Sequence, residues 1–457
     1  MPLRVLTSLL VCLRRSDGAK LVEGRRRPNL PPKRHASTLP IELWILVLRE
    51  AQYDDLQPRY RWLRRYSLVC SAWRPYAQEL LFAHVALRGS GHCKAFQRAV
   101  LSPHDPAHAE RLRRAVRTLS MVMDHQEIYP DVIQLCPNLR ELHLCMYHAT
   151  FRPDVLAALA HAIPRTVRAL RVRTYHYPAL FQLLALFPHI EYLELDCNSV
   201  SAPVPNPITS DPPRWRLREL RYTNLRRGTH ALVEWALSGP GEGSRDTLEA
   251  LRVQCPSFNP SVLPTLGVSR LRSLAIPRVT AGDDLSVLTH IEELWMTAPR
   301  YPTPTFLPLP ASVRHLALHP LAGAAEVDYE SIEAELSTYY EQAGGCLEVV
   351  TYHRRCDEDD ESVEDVRMLY DFCKARDLEF RLMDPPYGYY AGERIPFEPI
   401  YHCPRPAPQS SRRFTEQGRL DAILTAPRRK PTLTRKLAKS AKRAFGSTIH
   451  PAALARP

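Results

Sequence analysis

The sequence predicts an α/β chain in which a small three-helix bundle precedes a leucine-studded solenoid built around one parallel sheet. Two patterns carry that prediction. One short phrase (apolar, charged, any, leucine, any, apolar) returns ten times between residues 116 and 352. Ahead of it, residues 39–48 make a helix-length run that is apolar on nearly every side. A length of 457 residues with 45% apolar content suits one small domain plus a repeat array. The 42 prolines against 17 glycines suit many short elements stopped by proline, and argue against glycine-rich nucleotide loops. The expected order is a disordered basic segment over 1–36, the bundle over 37–84, and a linker with capping helices over 85–115. The solenoid follows over 116–385, and a proline-rich, basic, disordered tail over 386–457.

The phrase begins as Val116-Arg-Thr-Leu119-Ser-Met121 and Leu139-Arg-Glu-Leu142-His-Leu144. It recurs from Val167, Ile190, Leu217, Leu248, Leu271, Ile291 and Val313, more loosely from Leu347, and Leu378-Glu-Phe-Arg-Leu382 closes the array. The intervals between the ten copies run from 20 to 34 residues. Chance produces one or two such phrases, not ten in order. Each reads as a short strand, because alternation sends Leu142 and Leu144 to one face and Glu141, His143 and Cys145 to the other. A single strand cannot hide its apolar face alone, whereas parallel stacking of the copies makes a continuous core.

The spacers supply what a parallel crossover needs. Residues 152–163, 178–187, 228–237, 331–340 and 363–376 read as helices with one apolar face, and Pro164 and Pro188 stop the first two. Over about 116–382 the chain resembles the leucine-rich repeat family, on the strand core alone. The family's asparagine ladder is nearly missing: Asn198 in LELDCN is the clear case, and Tyr147, Tyr175 and Pro256 stand at the corresponding positions elsewhere. Helix-bearing, irregular repeats are therefore expected.

In the bundle, Ser37 or Thr38 caps a helix that begins at Leu39-Pro40, where proline is tolerated in the first turn. A second helix spans 63–70 and a third, after Pro75, spans 76–82. A helix apolar all round needs cover on two sides, and three short helices bury too little surface to provide it. The excess apolar surface is a candidate partner site. Leu39-Pro-Ile-Glu-Leu43-Trp44 with Val47-Leu48, followed by Leu68-Val69-Cys70-Ser-Ala-Trp73-Arg74, is similar to the F-box over about 36–84. That resemblance implies a non-enzymatic substrate-recognition adaptor of an SCF-type cullin–RING ubiquitin ligase. Its box would bind the Skp-type adaptor through Leu39, Pro40, Leu43, Val47, Leu48, Leu68 and Val69, with Trp73 packing internally. Its solenoid would bind a protein substrate. Two other readings stay open: an interaction scaffold outside any ligase, and a nucleic-acid or membrane-surface binder acting through basic tails.

Chemistry has no foothold in the pattern. There is no GxSxG, GxxxxGK[ST], HExxH or GxGxxG, so neither a catalytic residue, a metal, a cofactor nor a small-molecule substrate is expected. The acidic run Asp357–Glu361 reads as a solvated loop before a helix whose N-terminus favours negative charge. Eleven cysteines, none with the two-residue gap of a zinc knuckle, read as reduced thiols of an intracellular protein, cytoplasmic or nuclear. The net charge of +12 is confined to the ends: nine Arg/Lys against two acids in 1–38, thirteen against two in 404–457, which leaves −6 for 39–403. The apolar run 5–13 is too short to cross a bilayer, while the acid-free start leaves a mitochondrial presequence open. Residues 428–445 read as a disordered tail or a basic amphipathic helix, with one aromatic and hence little means of stacking nucleobases.

The sheet face opposite the leucines should hold the partner. Arg171, Arg173, Arg221 and Arg252 come from neighbouring repeats and suggest a fork for an acidic or phosphorylated segment, although Glu141, Glu194, Asp196, Glu219 and Glu293 share that face. Tyr192 lies beside them. Trp295 reads either as an anchor for a partner or as a contact with an intramolecular loop.

Overall fold

The computed structural model describes residues 40–383 except 52, 55–56, 59, 103–104, 124–127, 205–207, 209–213, 226–229, 240–242, 256–257, 277–284, 298–308, 320–328, 343–345 and 354–361. The expectations for 1–36, the Ser37 or Thr38 cap, Leu39, Pro256, the acidic run 357–361 and the tail 386–457 lie outside the described residues.

The repeats form one sheet of 12 strands, every neighbouring pair parallel, in chain order. The strands are β1 (His84–Leu87), β2 (Thr118–Met123), β3 (Glu141–Met146), β4 (Ala169–Thr174), β5 (Tyr192–Asp196) and β6 (Glu219–Thr223). They continue as β7 (Ala250–Gln254), β8 (Ser273–Ile276), β9 (Glu293–Thr297), β10 (His315–His319), β11 (Val349–His353) and β12 (Glu379–Met383). A strict chain-order parallel sheet with helical crossovers is an α/β solenoid, since each connection returns to the same sheet edge.

Register follows from the phrase. Leu119, Leu142, Leu170, Leu193, Leu220 and Leu251 stand side by side, each at most 1% exposed, and Leu274, Leu294, Leu316 and Val350 extend the file. A second inward file runs through Leu144, Val172, Leu195, Tyr222, Val253, Ile276 and Met296. One contiguous apolar cluster reaches from Leu87 to Phe380. Tyr222 in this file is fully buried, and Tyr177 accepts a hydrogen bond from Asn224 Nδ2 at 2.9 Å deep in the same core.

Helices on the other side cover the leucines. After β1 come α4 (Ser90–Val100) and α5 (Pro106–Ala115), the latter capped by Asp105, which accepts from His108 N at 2.8 Å. Then follow α6 (Tyr129–Gln134), α7 (Pro153–Ala162), α8 (Tyr177–Leu184), α9 (Ala231–Leu237), α10 (Ser244–Thr247) and α11 (Val262–Thr265), and finally α12 (Tyr329–Gln342) and α13 (Ser362–Ala375). The five expected crossover helices appear within a few residues of their predicted ends. Proline at the first turn of α5, α6, α7 and α8 explains their abrupt starts.

The boundary between bundle and solenoid differs from expectation. Residues 84–87, split between the predicted box and linker, are the first strand, paired His84↔Thr118 through Leu87↔Met121. His-Val-Ala-Leu carries two inward residues and none of the phrase's charge or leucine spacing, so the pattern could not announce it. The ladder gains no member: its position in the next repeat is Leu225, whose N donates to Asn198 Oδ1 at 2.8 Å and ties adjacent repeats, while the fully buried Asn224 stands one residue earlier, in line with Cys197.

Candidate functional site

The amino-terminal bundle comprises α1 (Ile41–Ala51), α2 (Tyr60–Tyr66) and α3 (Arg74–Ala83). The second helix lies earlier than expected, and residues 67–69 after it form a turn in which Leu68 N donates to Arg65 O and Val69 N to Tyr66 O. Its core is small: Leu48, Leu63, Tyr66 and Ala77 are buried, with Trp73, Tyr76, Leu80 and Leu81 packed around them. Trp44 tilts against Trp73 at 4.6 Å between ring centroids, and Tyr66 meets Trp73 edge-on at 6.1 Å. Trp73 thus packs internally, as the motif implies.

Placement of the seven predicted adaptor contacts is uneven. Leu43 is 44% exposed, Leu68 75% and Val69 54%; Pro40 is exposed and Val47 half-buried. Leu48 is a correction: at 2% exposure it belongs to the bundle's own core. The helix phase is the cause, because Trp44 and Leu48 are four apart and share the inward stripe. Leu46, outside the predicted set, is 52% exposed. The Trp44–Trp73 contact joins the first half of α1 to the start of α3, and Tyr66, just before the turn that carries Leu68 and Val69, meets the same Trp73.

The bundle is not a free appendage. Helix α3 runs without a spacer into β1, its C-cap His84 already extended at φ −126°, and Tyr60 Oη donates to His84 O at 3.2 Å. Helix α3 packs against α5 of the first repeat.

The open face of the sheet is a closed account of charges rather than a free fork. Arg171 meets Glu194 on the next strand at 2.5 Å, and Arg173 meets Asp196 at 3.5 Å. Arg221 is a second correction: it is 6% exposed and bonded to Glu219 at 2.5 Å, so its guanidinium is not presented to a partner. Low local dielectric draws these arginines onto acids one rung or two residues away. His143 Nε2 lies 2.6 Å from the buried Glu141. Tyr192, at the start of β5, is half-buried between Ala169 and Glu219.

Trp295 is half-buried between Ala275 and Ala317 in register, and those small neighbours leave room for the indole on the sheet. Arg252 reaches over the ring at 5.1 Å, and His315 stands edge-on at 6.2 Å. Beside it, burial opposes ionisation of Glu293. Hydrogen bonds from His315 (3.1 Å), Ser273 (2.6 Å) and Trp295 overcome that and bring its carboxyl down to about 2. His315 Nε2 is also 2.8 Å from Thr351 Oγ1, but Thr351 is 1% exposed, so no substrate reaches that hydroxyl.

Sequence reasoning passed over a stacked pair: exposed Tyr147 and half-buried Tyr175, considered only as stand-ins for ladder asparagines, lie 4.7 Å apart just beyond β3 and β4. Among the described residues no group of three His, Cys, Asp or Glu could hold a metal, and no helix is long and apolar enough to cross a membrane. Burial pushes the Cys136 and Cys373 thiols up to about 12, which keeps them protonated. No protein-family model and no curated protein matches the chain.

Proposed function

We propose that the chain is a substrate-recognition adaptor of an SCF-type cullin–RING ubiquitin ligase. In this reading the amino-terminal bundle is an F-box that binds a Skp-type adaptor, and the repeats hold the protein to be modified. The supporting observation is the mismatch between the bundle's core and its surface: among the described residues, four buried apolar side chains against exposed Leu43, Leu46, Leu68 and Val69. Soluble surfaces scatter single apolar residues, but four aliphatic side chains on so small a bundle mark a site for another protein. The direct run from α3 into β1 suits an adaptor, since it fixes the held protein relative to the docking face. In this role the chain contributes position and leaves chemistry to other subunits.

Binding of the purified chain to a recombinant Skp-type adaptor, followed by size exclusion and calorimetry, tests this. Wild type should form a one-to-one complex, and Leu43→Asp should abolish it without loss of folding. An unaltered complex with Leu43→Asp, or none with wild type, overturns the reading.

A further inference from the structure

The amino-terminal edge of the sheet carries a file of charges that the open face does not share. The residue just before each strand hydrogen-bonds to its counterpart in the preceding repeat, N to O, at 2.7–2.9 Å, from Arg140 on Arg117 to Glu348 on Arg314. In order the file reads Arg117, Arg140, Arg168, Glu191, Arg218, Glu249, Arg272, Glu292, Arg314, Glu348. From Arg168 onward the sign alternates at every rung. Glu191 sits 3.7 Å from both Arg168 and Arg218, Arg272 grips Glu292 with two bonds of 3.0 and 2.6 Å, and Arg314 reaches Glu348 at 3.6 Å.

The alternation fails only at the start. Arg117, Arg140 and Arg168 stand on three successive rungs, about 4.8 Å apart, where like charges repel. Arg140 is exposed, and its guanidinium has no ion-pair partner among the described residues. Burial and the neighbouring Arg140 charge together pull Arg117 below the usual arginine range. Arg165, in the turn before β4, is exposed beside them, and Arg114 lies nearby on α5 with Glu110 as its partner.

We propose that this edge of the first repeats docks an extended acidic segment of a partner protein, whose carboxylate or phosphate groups complete the interrupted charge file. Guanidinium forks match the oxygen pairs of both groups. Arg117 and Arg168 lie about 10 Å apart, the span of three residues of extended chain, so acids at i and i+3 meet the two outer rungs. Among the described residues no Phe, Tyr or Trp stands with Arg114, Arg117, Arg140, Arg165 and Arg168 for bases to stack on, and the site spans only three rungs, which favours a peptide over a nucleic acid. The chain's own acidic run, 357–361, comes after β11 in sequence, and β11 stands eight rungs from β3. The inference stands on the sheet edge alone and does not depend on what the bundle binds.

Arg140→Glu is the decisive variant, because it extends the alternation to the first rung. It should raise the melting temperature by about 1–2 °C. In fluorescence anisotropy at 150 mM salt, a labelled Glu-Gly-Gly-Glu-Gly-Gly-Glu peptide should lose at least tenfold in affinity. Arg272→Gln, in the alternating part of the file, serves as control and should leave binding within twofold; the basic tails are common to all three proteins. A phosphoserine version of the peptide separates the two anion sources, and preference for either supports the docking site. Equal binding by wild type and Arg140→Glu overturns the proposal, as does an equal loss in Arg272→Gln. Tighter capture of a charge-matched single-stranded oligonucleotide, abolished by Arg140→Glu, overturns it in favour of nucleic acid.

Discussion

Leu48 and Leu68 are separated by twenty residues and by the whole logic of the amino-terminal bundle, so truncating each to alanine should break different things. Leu48 is 2% exposed in a core of four buried side chains. Leu48→Ala removes packed methylenes that the bundle cannot replace, at about 2–5 kcal/mol. Leu68 is 75% exposed, and its truncation should change stability by no more than about 0.5 kcal/mol. Full burial of a leucine is worth about 1.5–3 kcal/mol, so three-quarters of that, less what alanine retains, gives roughly 1–2 kcal/mol of binding. That is about 5- to 30-fold in Kd for a Skp-type adaptor. Hydrogen exchange over residues 41–83 reads the stability and calorimetry reads the affinity. Leu48→Ala should accelerate exchange across all three helices, while Leu68→Ala should leave exchange intact and weaken binding. Full affinity in Leu68→Ala, or exchange in that variant as fast as in Leu48→Ala, would refute the division between inward and outward leucines.

Three further outcomes follow from the solenoid. Glu293 has its folded-state carboxyl depressed to about 2, so the stability it contributes is complete above its unfolded value near 4.3 and is lost as pH falls from there toward 2. Glu293→Gln should flatten the acid limb of a thermal-melt series between pH 5 and 2, and an unchanged limb would count against the His315–Glu293–Ser273 cluster. Arg221→Met leaves Glu219 without its buried partner and should cost about 3–5 kcal/mol in urea unfolding, whereas the double variant with Glu219→Leu should recover much of it. Asn224→Leu strips Tyr177 of its 2.9 Å donor, and the unmet polar groups should cost about 1–3 kcal/mol in the same titration.

The leucine files were legible because two periods overlap there: alternation within a strand, and recurrence of the phrase every 20–34 residues. Each copy repeats the same inward choice, so errors at one copy are corrected by the next. The open face lacked that redundancy. Counting five acids against four arginines was correct, but a count does not say which charge lies beside which. Aligning the phrases on their leucines would have placed Arg171 next to Glu194 and Trp295 between two alanines, as the register does. Leu48 was misplaced for a similar reason: in a helix apolar on every side, composition hides the phase, and only the spacing from Trp44 reveals the inward stripe. His84–Leu87 was invisible because its copy of the phrase is too degenerate to align.

The same alignment applied to the residue before each strand exposes a division of labour along the molecule. From β5 onward the edge file alternates in sign, and on the open face Arg171, Arg173 and Arg221 hold acids of their own face while Arg252 lies over Trp295. Surfaces so self-satisfied gain little from a polar partner, which must break one set of ion pairs to make another. The less satisfied surface is at the other end, in the exposed leucines of the bundle and in Arg140, set between half-buried Arg117 and the Glu191-paired Arg168, the two regions joined through the packing of α3 on α5. A partner segment held on those arginines would therefore lie close to whatever covers the leucines.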